Sequence, residues 1–165
     1  MKTAVVCGNP KPKSRTLEAA LFVAEKLTGS PPEVVLDLVE IGPHLLGWGD
    51  PQASSAVESV RACDVAIFAS PTYKGSYTGL LKLFLDQIPG DGLAGVIGFP
   101  LMLGAAMGHA MAPDLLLKPV LVELGASCPA RGLYLLETDY LSEAIVEPWI
   151  ARARPFLVSG LRPPA

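Results

Sequence analysis

The chain is poor in the residues and patterns that several common classes of protein require. Charged residues make up 18% of its 165 positions, against about 25% in ordinary soluble proteins. Its three cysteines form no C-x-x-C pair, so we expect no disulfide framework and a reducing, cytoplasmic setting. The net charge of −3 offers no basic face for nucleic acid. The uncharged stretch 93–108 is interrupted by glycine and proline and is shorter than the about 18 residues of a membrane span. A strand-like run begins at Thr3, so we expect no leader sequence. We therefore expect a protein that binds neither nucleic acid nor a membrane.

The motifs of several enzyme classes are also missing. The two histidines, His44 and His109, are far apart, and no spacing of histidine, cysteine and carboxylate is typical of a metal site. Neither the P-loop pattern nor the G-x-S-x-G pattern of esterases occurs. A G-x-G-x-x-G match at 90–95 precedes a strand-like run instead of following one, so it does not indicate dinucleotide binding. We interpret His109 as structural, with a contact to a cofactor-binding loop as the alternative. We expect no metal and no catalytic side chain, which leaves the chemistry to a cofactor.

Short apolar runs alternate with helix-like runs along the chain. Strands are predicted at 3–7, 34–38, 64–69, 95–103 and 131–136, and helices at 17–27, 52–62, 80–88, 112–123 and 142–156. An irregular connection is expected at 42–51, a kink or bulge at Pro119, and fraying at 162–165. This alternation predicts one α/β domain over 1–165: a doubly wound five-stranded parallel sheet in the flavodoxin-like order 2-1-3-4-5, with helices on both faces.

The first and third predicted strands are each followed by a polar loop, and these strands flank the switch point of such a sheet. The loop at 9–16 ends with Ser14, Arg15 and Thr16 at a helix start, where capping side chains, free N–H groups and the helix dipole favour an anion. Lys11 or Lys13 adds a charge-assisted donor. Phosphate binding is the functional interpretation, and a plain helix cap with solvated basic neighbours is the alternative.

The loop at 70–79 carries the aromatic rings. Tyr73 and Tyr77 offer flat faces beside the positive charge of Lys74, although packing is the alternative role for a tyrosine in a loop. The small residues at 104–108, after the fourth strand, would form an opposite wall that a planar ring approaches closely. We expect the two loops to face each other across one crevice, which would bind a phosphate-bearing planar ligand.

These stretches resemble the NADPH-dependent FMN reductase family. The resemblance is carried by GNPK at 8–11 with the S-R-T run at 14–16, by PTYKGSYTGLLK at 71–82, and by GH at 108–109 with LKPVL at 117–121. The chain is most similar to the flavin reductases that supply reduced FMN to alkanesulfonate-type monooxygenases. The resemblance implies FMN in the crevice, NADPH as hydride donor, and a homodimer or homotetramer with the flavin near the subunit interface.

The resemblance also implies a set of cofactor-binding residues. The phosphate would be held by Asn9, Lys11, Ser14, Arg15 and Thr16; the isoalloxazine ring would be bordered by Pro71, Thr72, Tyr73 and Lys74, with Gly104 and Ala105 opposite. Two positions depart from the family pattern. Ala105 stands where a second glycine is expected, and Leu115 stands where the sulfonate-linked enzymes carry tyrosine or histidine.

The expected function is NAD(P)H-dependent reduction of FMN. Hydride would pass directly from nicotinamide to flavin, so the protein positions the two and stabilises charge on the reduced ring. Reduced flavin would serve a flavin-dependent monooxygenase, or electrons would pass to a quinone, a metal oxyanion, an azo compound or another acceptor. The alternatives are a flavodoxin-type electron carrier, which is usually more acidic, and an interaction module with an empty crevice. The shortage of charge further suggests that apolar surface is buried between subunits.

Overall fold

A five-stranded parallel sheet organises the fold. The computed structural model describes residues 1–157, so the predicted fraying at 162–165 lies outside the described residues. The strands are β1 (Thr3–Cys7), β2 (Val34–Asp37), β3 (Val65–Pro71), β4 (Ile97–Gly104) and β5 (Leu133–Leu136). They lie in the order β2-β1-β3-β4-β5, and every neighbouring pair is parallel. The predicted order is confirmed, and it places the carboxyl ends of β1 and β3 side by side.

Helices connect the strands and cover both faces of the sheet. The α-helices are α1 (Arg15–Thr28), α2 (Pro51–Arg61), α3 (Gly79–Asp86), α4 (Lys118–Glu123) and α5 (Glu143–Ala153). Short 3₁₀ segments occupy Leu38–Leu46, Met107–His109 and Arg154–Phe156, and a π-helical segment occupies Pro113–Leu117. None of the helices within residues 1–157 combines the length and apolar character needed to cross a membrane.

Alternate side chains of the central strands enter two separate cores. Val6 and Phe68 pack on the face covered by α2, α3 and α4, whereas Val5 and Ile67 pack on the face covered by α1 and α5. Every residue of β1, β3 and β4 is buried, which explains why these strands read as continuous apolar runs without polar alternation.

The structure differs from the sequence prediction at several element boundaries and confirms one predicted bulge. Residues 42–51 are not irregular throughout, because 3₁₀ turns run from Leu38 to Leu46 directly after β2. Strand β4 begins at Ile97 and not at 95, since Gly95 has a φ of +81° and belongs to the preceding turn. The bulge predicted at Pro119 is confirmed: the Lys118 N–H bonds to the Pro113 carbonyl, five residues back, just before the proline.

Candidate functional site

The loop between β1 and α1 is held in shape by its own side chains. Asn9 is buried; its Nδ2 donates to Thr16 Oγ1 at 3.0 Å, and its Oδ1 accepts the Lys11 N–H at 2.9 Å. Ser14 is the N-cap of α1 and accepts the Leu17 N–H at 3.3 Å. The first N–H groups of a helix have no partner within the helix, so those not taken by Ser14 face the end of α1 as anion donors.

A buried carboxylate supports the same loop from β2. Lys13 has a φ of +50°, a left-handed conformation that non-glycine residues rarely adopt, and its N–H donates to Asp37 Oδ2 at 2.9 Å. Burial raises the pKa of Asp37, and nearby Glu40 acts in the same direction, while the bond from Lys13 opposes them. Asp37 therefore stabilises the strained turn that presents the loop's basic side chains.

The loop after β3 contains a tight reversal that presents Tyr73. The backbone N–H and C=O of Tyr73 and Ser76 bond reciprocally at 2.9 and 3.1 Å. Both central residues, Lys74 and Gly75, have positive φ, at 52° and 81°, as the mirror-image hairpin turns require. The Tyr73 side chain is 52% exposed, so its ring is available to a ligand and is not consumed by packing.

Contacts at the start of α3 lock the two loops together. Thr78 caps α3 by accepting the Leu81 N–H, and its hydroxyl donates to the Gly8 carbonyl at the end of β1. The Thr78 N–H donates to Ser70 Oγ at 3.0 Å. A side chain at Gly8 would place its Cβ 2.4 Å from Leu81 Cβ, so only glycine allows α3 to approach β1 this closely.

The two loops meet in one cleft of about 210 Å³ at the carboxyl ends of β1 and β3. The lining comprises Asn9, Lys11, Lys13, Ser14, Arg15, Thr16, Glu18, Pro71, Tyr73, Leu103 and Glu137. The predicted meeting of the two loops is therefore present, with Arg15 and Tyr73 on the same cavity. Seven of the eleven predicted site residues line it: Asn9, Lys11, Ser14, Arg15, Thr16, Pro71 and Tyr73.

The other four predicted residues, Thr72, Lys74, Gly104 and Ala105, are not part of the cleft lining. At Gly104 an added Cβ would lie 1.9 Å from the Tyr134 hydroxyl, so this glycine makes room for a tyrosine of β5. The Thr72 hydroxyl is buried without a hydrogen-bond partner among residues 1–157. Contact of these four residues with a flavin ring stays a prediction.

Two acidic residues of the cleft were missed by the sequence analysis. Glu137 follows β5, and its Oε2 lies 2.8 Å from Arg15 Nη2. Glu18, on α1, accepts a hydrogen bond from the Tyr140 hydroxyl at 2.7 Å. Because the end of β5 lies at the same edge of the sheet as the two loops, the position of Glu137 directly after the fifth strand was the signal that could have identified it.

The cleft contains cationic donors and an aromatic face, together with the carboxylates of Glu18 and Glu137. Cys7 is fully buried beneath the loop, and burial raises the pKa of its thiol to about 11. No cluster of three metal-ligating side chains occurs in the part of the chain that the structure describes. His109 lies against the turn after β3, about 3.5 Å from where a Gly75 Cβ would stand, so the contact with that loop exists.

Fold and cleft together define a flavodoxin-like α/β protein with a crevice lined by basic side chains at the switch point of its sheet. The model of the NADPH-dependent FMN reductase family matches residues 1–140. The chain belongs to that family.

Individual relatives agree with this assignment. The chain is 33% identical over 138 residues to the FMN reductase (NADPH) of Escherichia coli (strain K12), covering 81% of this chain and 72% of the relative. It is 30% identical to the NADH-dependent FMN reductase SfnF of Pseudomonas fluorescens (strain Pf0-1), covering 93% and 87%. The solved apo structure of the NADH:FMN oxidoreductase EMOB superposes with a TM-score of 0.83 at 28% identity, covering 96% of this chain and 91% of that one.

Proposed function

We propose that this chain reduces FMN with a reduced pyridine nucleotide, and that the cleft between the β1–α1 and β3–α3 loops is its flavin site. The observation that carries the proposal is the shared cavity of Arg15 and Tyr73. A cationic helix start and an exposed aromatic ring lie on one cleft, as a ligand with a phosphate at one end and a flat ring at the other requires.

The phosphate end belongs at the start of α1. Lys11, Lys13 and Arg15 supply positive charge, and the α1 dipole adds to it. Asn9 and Thr16 bond mainly to each other, so their role is to hold the loop's shape more than to grip the ligand. The strained turn at Lys13, held by its hydrogen bond to Asp37, places Lys13 on the cleft.

The ring end belongs beside Pro71 and Tyr73. Pro71 is buried at the end of β3, Leu103 is buried near the end of β4, and the exposed Tyr73 lines the same cleft. The cleft volume of about 210 Å³ is smaller than the about 300–1,000 Å³ of typical cofactor sites. The enclosed part therefore suits the phosphate end, while the ring would extend over the open side toward residues 104–108.

FMN held in this cleft would supply the redox chemistry, with NADH or NADPH as the source of hydride. The chain's own residues bind and orient. No side chain of the cleft is needed as a proton donor for a direct hydride transfer.

A homodimer or homotetramer is proposed on the strength of an exposed apolar strip next to the cleft. Met107, Met111, Leu115, Leu116 and Val122 are each at least 40% exposed, and Met111, Leu115 and Leu116 line a shallow pocket with Gly75 and His109. Apolar patches of this kind mark interaction surfaces. A second copy seated here would cover the open side of the flavin site, and light scattering of the purified protein measures the assembly directly.

The electron acceptor and the cellular location are also proposals. A flavin-dependent monooxygenase is the partner that the family resemblance implies. None of the three cysteines is in a disulfide bond, which supports a cytoplasmic protein. The Escherichia coli relative is named for NADPH and the Pseudomonas fluorescens relative for NADH, so activity is to be assayed with both nucleotides.

The test combines turnover with ligand discrimination. Purified protein with FMN and either nucleotide should oxidise the nucleotide, followed by its absorbance. Arg15→Ala should weaken FMN binding by about 1–3 kcal/mol through loss of a charge-assisted hydrogen bond, yet leave binding of riboflavin, which lacks the phosphate, unchanged.

Arg152→Ala is the matched control, because Arg152 is an exposed arginine on α5 that does not line the cleft. If Arg15→Ala and Arg152→Ala bind FMN equally well, the phosphate does not bind at this helix start. Flavin binding without nucleotide oxidation would identify an electron carrier instead of a reductase.

A further inference from the structure

Glu137 is an acidic residue placed against the cation that the proposed phosphate site depends on. Its carboxylate is 2.8 Å from Arg15 Nη2, and its backbone carbonyl lies 3.5 Å from Arg15 Nη1. The Glu137 N–H donates to the Gly104 carbonyl at 3.0 Å, which anchors the residue to the end of β4. In this state of the protein the guanidinium of Arg15 is therefore occupied by a partner from its own chain.

The pair is exposed enough for a ligand to break it. The Arg15 and Glu137 side chains are 57% and 36% exposed, and ion pairs at that exposure contribute little to stability. Water screens the pair only partly, however, and a carboxylate in the cleft repels an incoming phosphate, which carries about −1.5 to −2 at pH 7. Glu137 thus opposes phosphate binding twice, by occupying Arg15 and by its own charge.

The rest of the cleft does not cancel this effect. The lining contains three cations, Lys11, Lys13 and Arg15, and two carboxylates, Glu18 and Glu137. Glu18 is engaged by the Tyr140 hydroxyl on its other side, so Glu137 is the carboxylate that faces Arg15. The apparent affinity of a site is lower when its donor is free in a smaller fraction of the protein molecules.

We propose that Glu137 is an affinity-setting residue: it competes with the flavin phosphate for Arg15 and keeps FMN bound weakly enough to leave after reduction. The inference rests on the proposed flavin site and extends it. On release of FMN, Arg15 regains Glu137 as a partner, which lowers the cost of losing the phosphate.

The test compares Glu137→Gln with wild type for FMN and for riboflavin. Glutamine retains the size of the side chain and an oxygen that can accept from Arg15, but removes the charge. We expect FMN to bind about three- to tenfold more tightly to the variant, mainly through slower release in stopped-flow displacement. Riboflavin affinity should not change, because riboflavin has no phosphate to compete.

Ionic strength separates this electrostatic role from a structural one. The gain in FMN affinity of Glu137→Gln over wild type should decrease as the salt concentration rises from about 20 mM to 500 mM, because screening weakens the repulsion between carboxylate and phosphate. Glu143→Gln is the matched control: Glu143 pairs with Lys26 on the outer surface and does not line the cleft, so the same charge change should leave FMN affinity at the wild-type value. Glu137→Ala, checked for folding by thermal unfolding, should act in the same direction as Glu137→Gln.

Two results would overturn the proposal while leaving the flavin site intact. In the first, Glu137→Gln and Glu137→Ala bind FMN no more tightly than wild type, while Arg15→Ala still weakens FMN binding. The other is an equal gain for riboflavin, which would mean that the phosphate is not what Glu137 opposes. If Arg15→Ala has no effect either, the phosphate lies elsewhere, and it is the proposed site that fails.

Discussion

Substitution of Gly8 by alanine tests whether the close approach of β1 and α3 builds the cleft. Gly8 has no positive φ, so alanine meets no backbone strain there, and the effect is purely steric. The added Cβ would lie 2.4 Å from Leu81 Cβ, 3.0 Å from Leu81 Cα and 3.1 Å from Leu81 N. Carbon atoms in contact prefer about 3.5–4.0 Å, so α3 must move outward by about 1 Å.

That movement has two costs. Leu81 is fully buried, and the obstructing atoms include backbone, so rotation of a side chain cannot relieve the clash; overpacking of this kind costs about 1–3 kcal/mol. The shift also stretches the buried hydrogen bond from the Thr78 hydroxyl to the Gly8 carbonyl, worth about 0.5–1.5 kcal/mol. Together we expect a loss of about 2–4 kcal/mol, which corresponds to roughly 5–15 °C in Tm for a chain of this size.

Urea unfolding followed by circular dichroism measures the loss, and FMN titration measures its effect on the cleft. Because the loop that contains Tyr73 leads directly into α3, FMN affinity should fall together with the free energy of unfolding. Gly79→Ala is the matched control, since Gly79 begins the same helix and a Cβ there meets nothing within 4 Å. Wild-type stability of Gly8→Ala would refute the steric argument, and an equal loss in Gly79→Ala would show that any methyl on this segment is disruptive.

Three further predictions concern buried polar groups. The Thr3 hydroxyl is buried without a partner among the described residues, so Thr3→Val should raise the free energy of unfolding by about 1 kcal/mol in urea titration; a loss would mean that the hydroxyl is satisfied. Burial raises the pKa of Asp37 in the folded state, so above that pKa the ionised carboxylate lowers the free energy of unfolding. This loss of stability disappears as the pH falls, because the carboxyl group is then protonated in both the folded and the unfolded state. Asp37→Asn, which keeps an acceptor for the loop, should therefore be more stable than wild type at pH 7, with an advantage that shrinks toward pH 4; an advantage independent of pH would contradict this. Cys7, whose pKa is raised to about 11 by burial, should resist alkylation at pH 8 in the native state and react only on unfolding, as peptide mass mapping would show.

Much of the cleft was predictable because its basic half is local in sequence. Ser14 caps α1 and Arg15 begins it, so their placement follows from a helix start after a buried strand. Tyr73 follows β3 for the same reason, and strand alternation then places both loops at one edge. The orientation of Asn9 was not predictable: its side chain turns inward to Thr16, a contact that only the folded loop creates.

The acidic half of the cleft depends on contacts distant in sequence. Glu137 meets Arg15 across more than a hundred residues, and Gly104 is required by Tyr134 of a neighbouring strand. The position of Glu137 after β5 indicates this edge of the sheet but not Arg15 as its partner, and nothing in the residues next to Gly104 signals Tyr134.

The sequence by itself determined the alternation of strands and helices, the sheet order and the two loops that meet at the cleft, because hydrophobic periodicity and loop chemistry are properties of neighbouring residues. Tertiary structure decided which charges share the cleft and which of the small residues make room for another side chain. Those outcomes depend on how β5 and α3 pack against the central strands, and such packing joins residues that local pattern cannot pair.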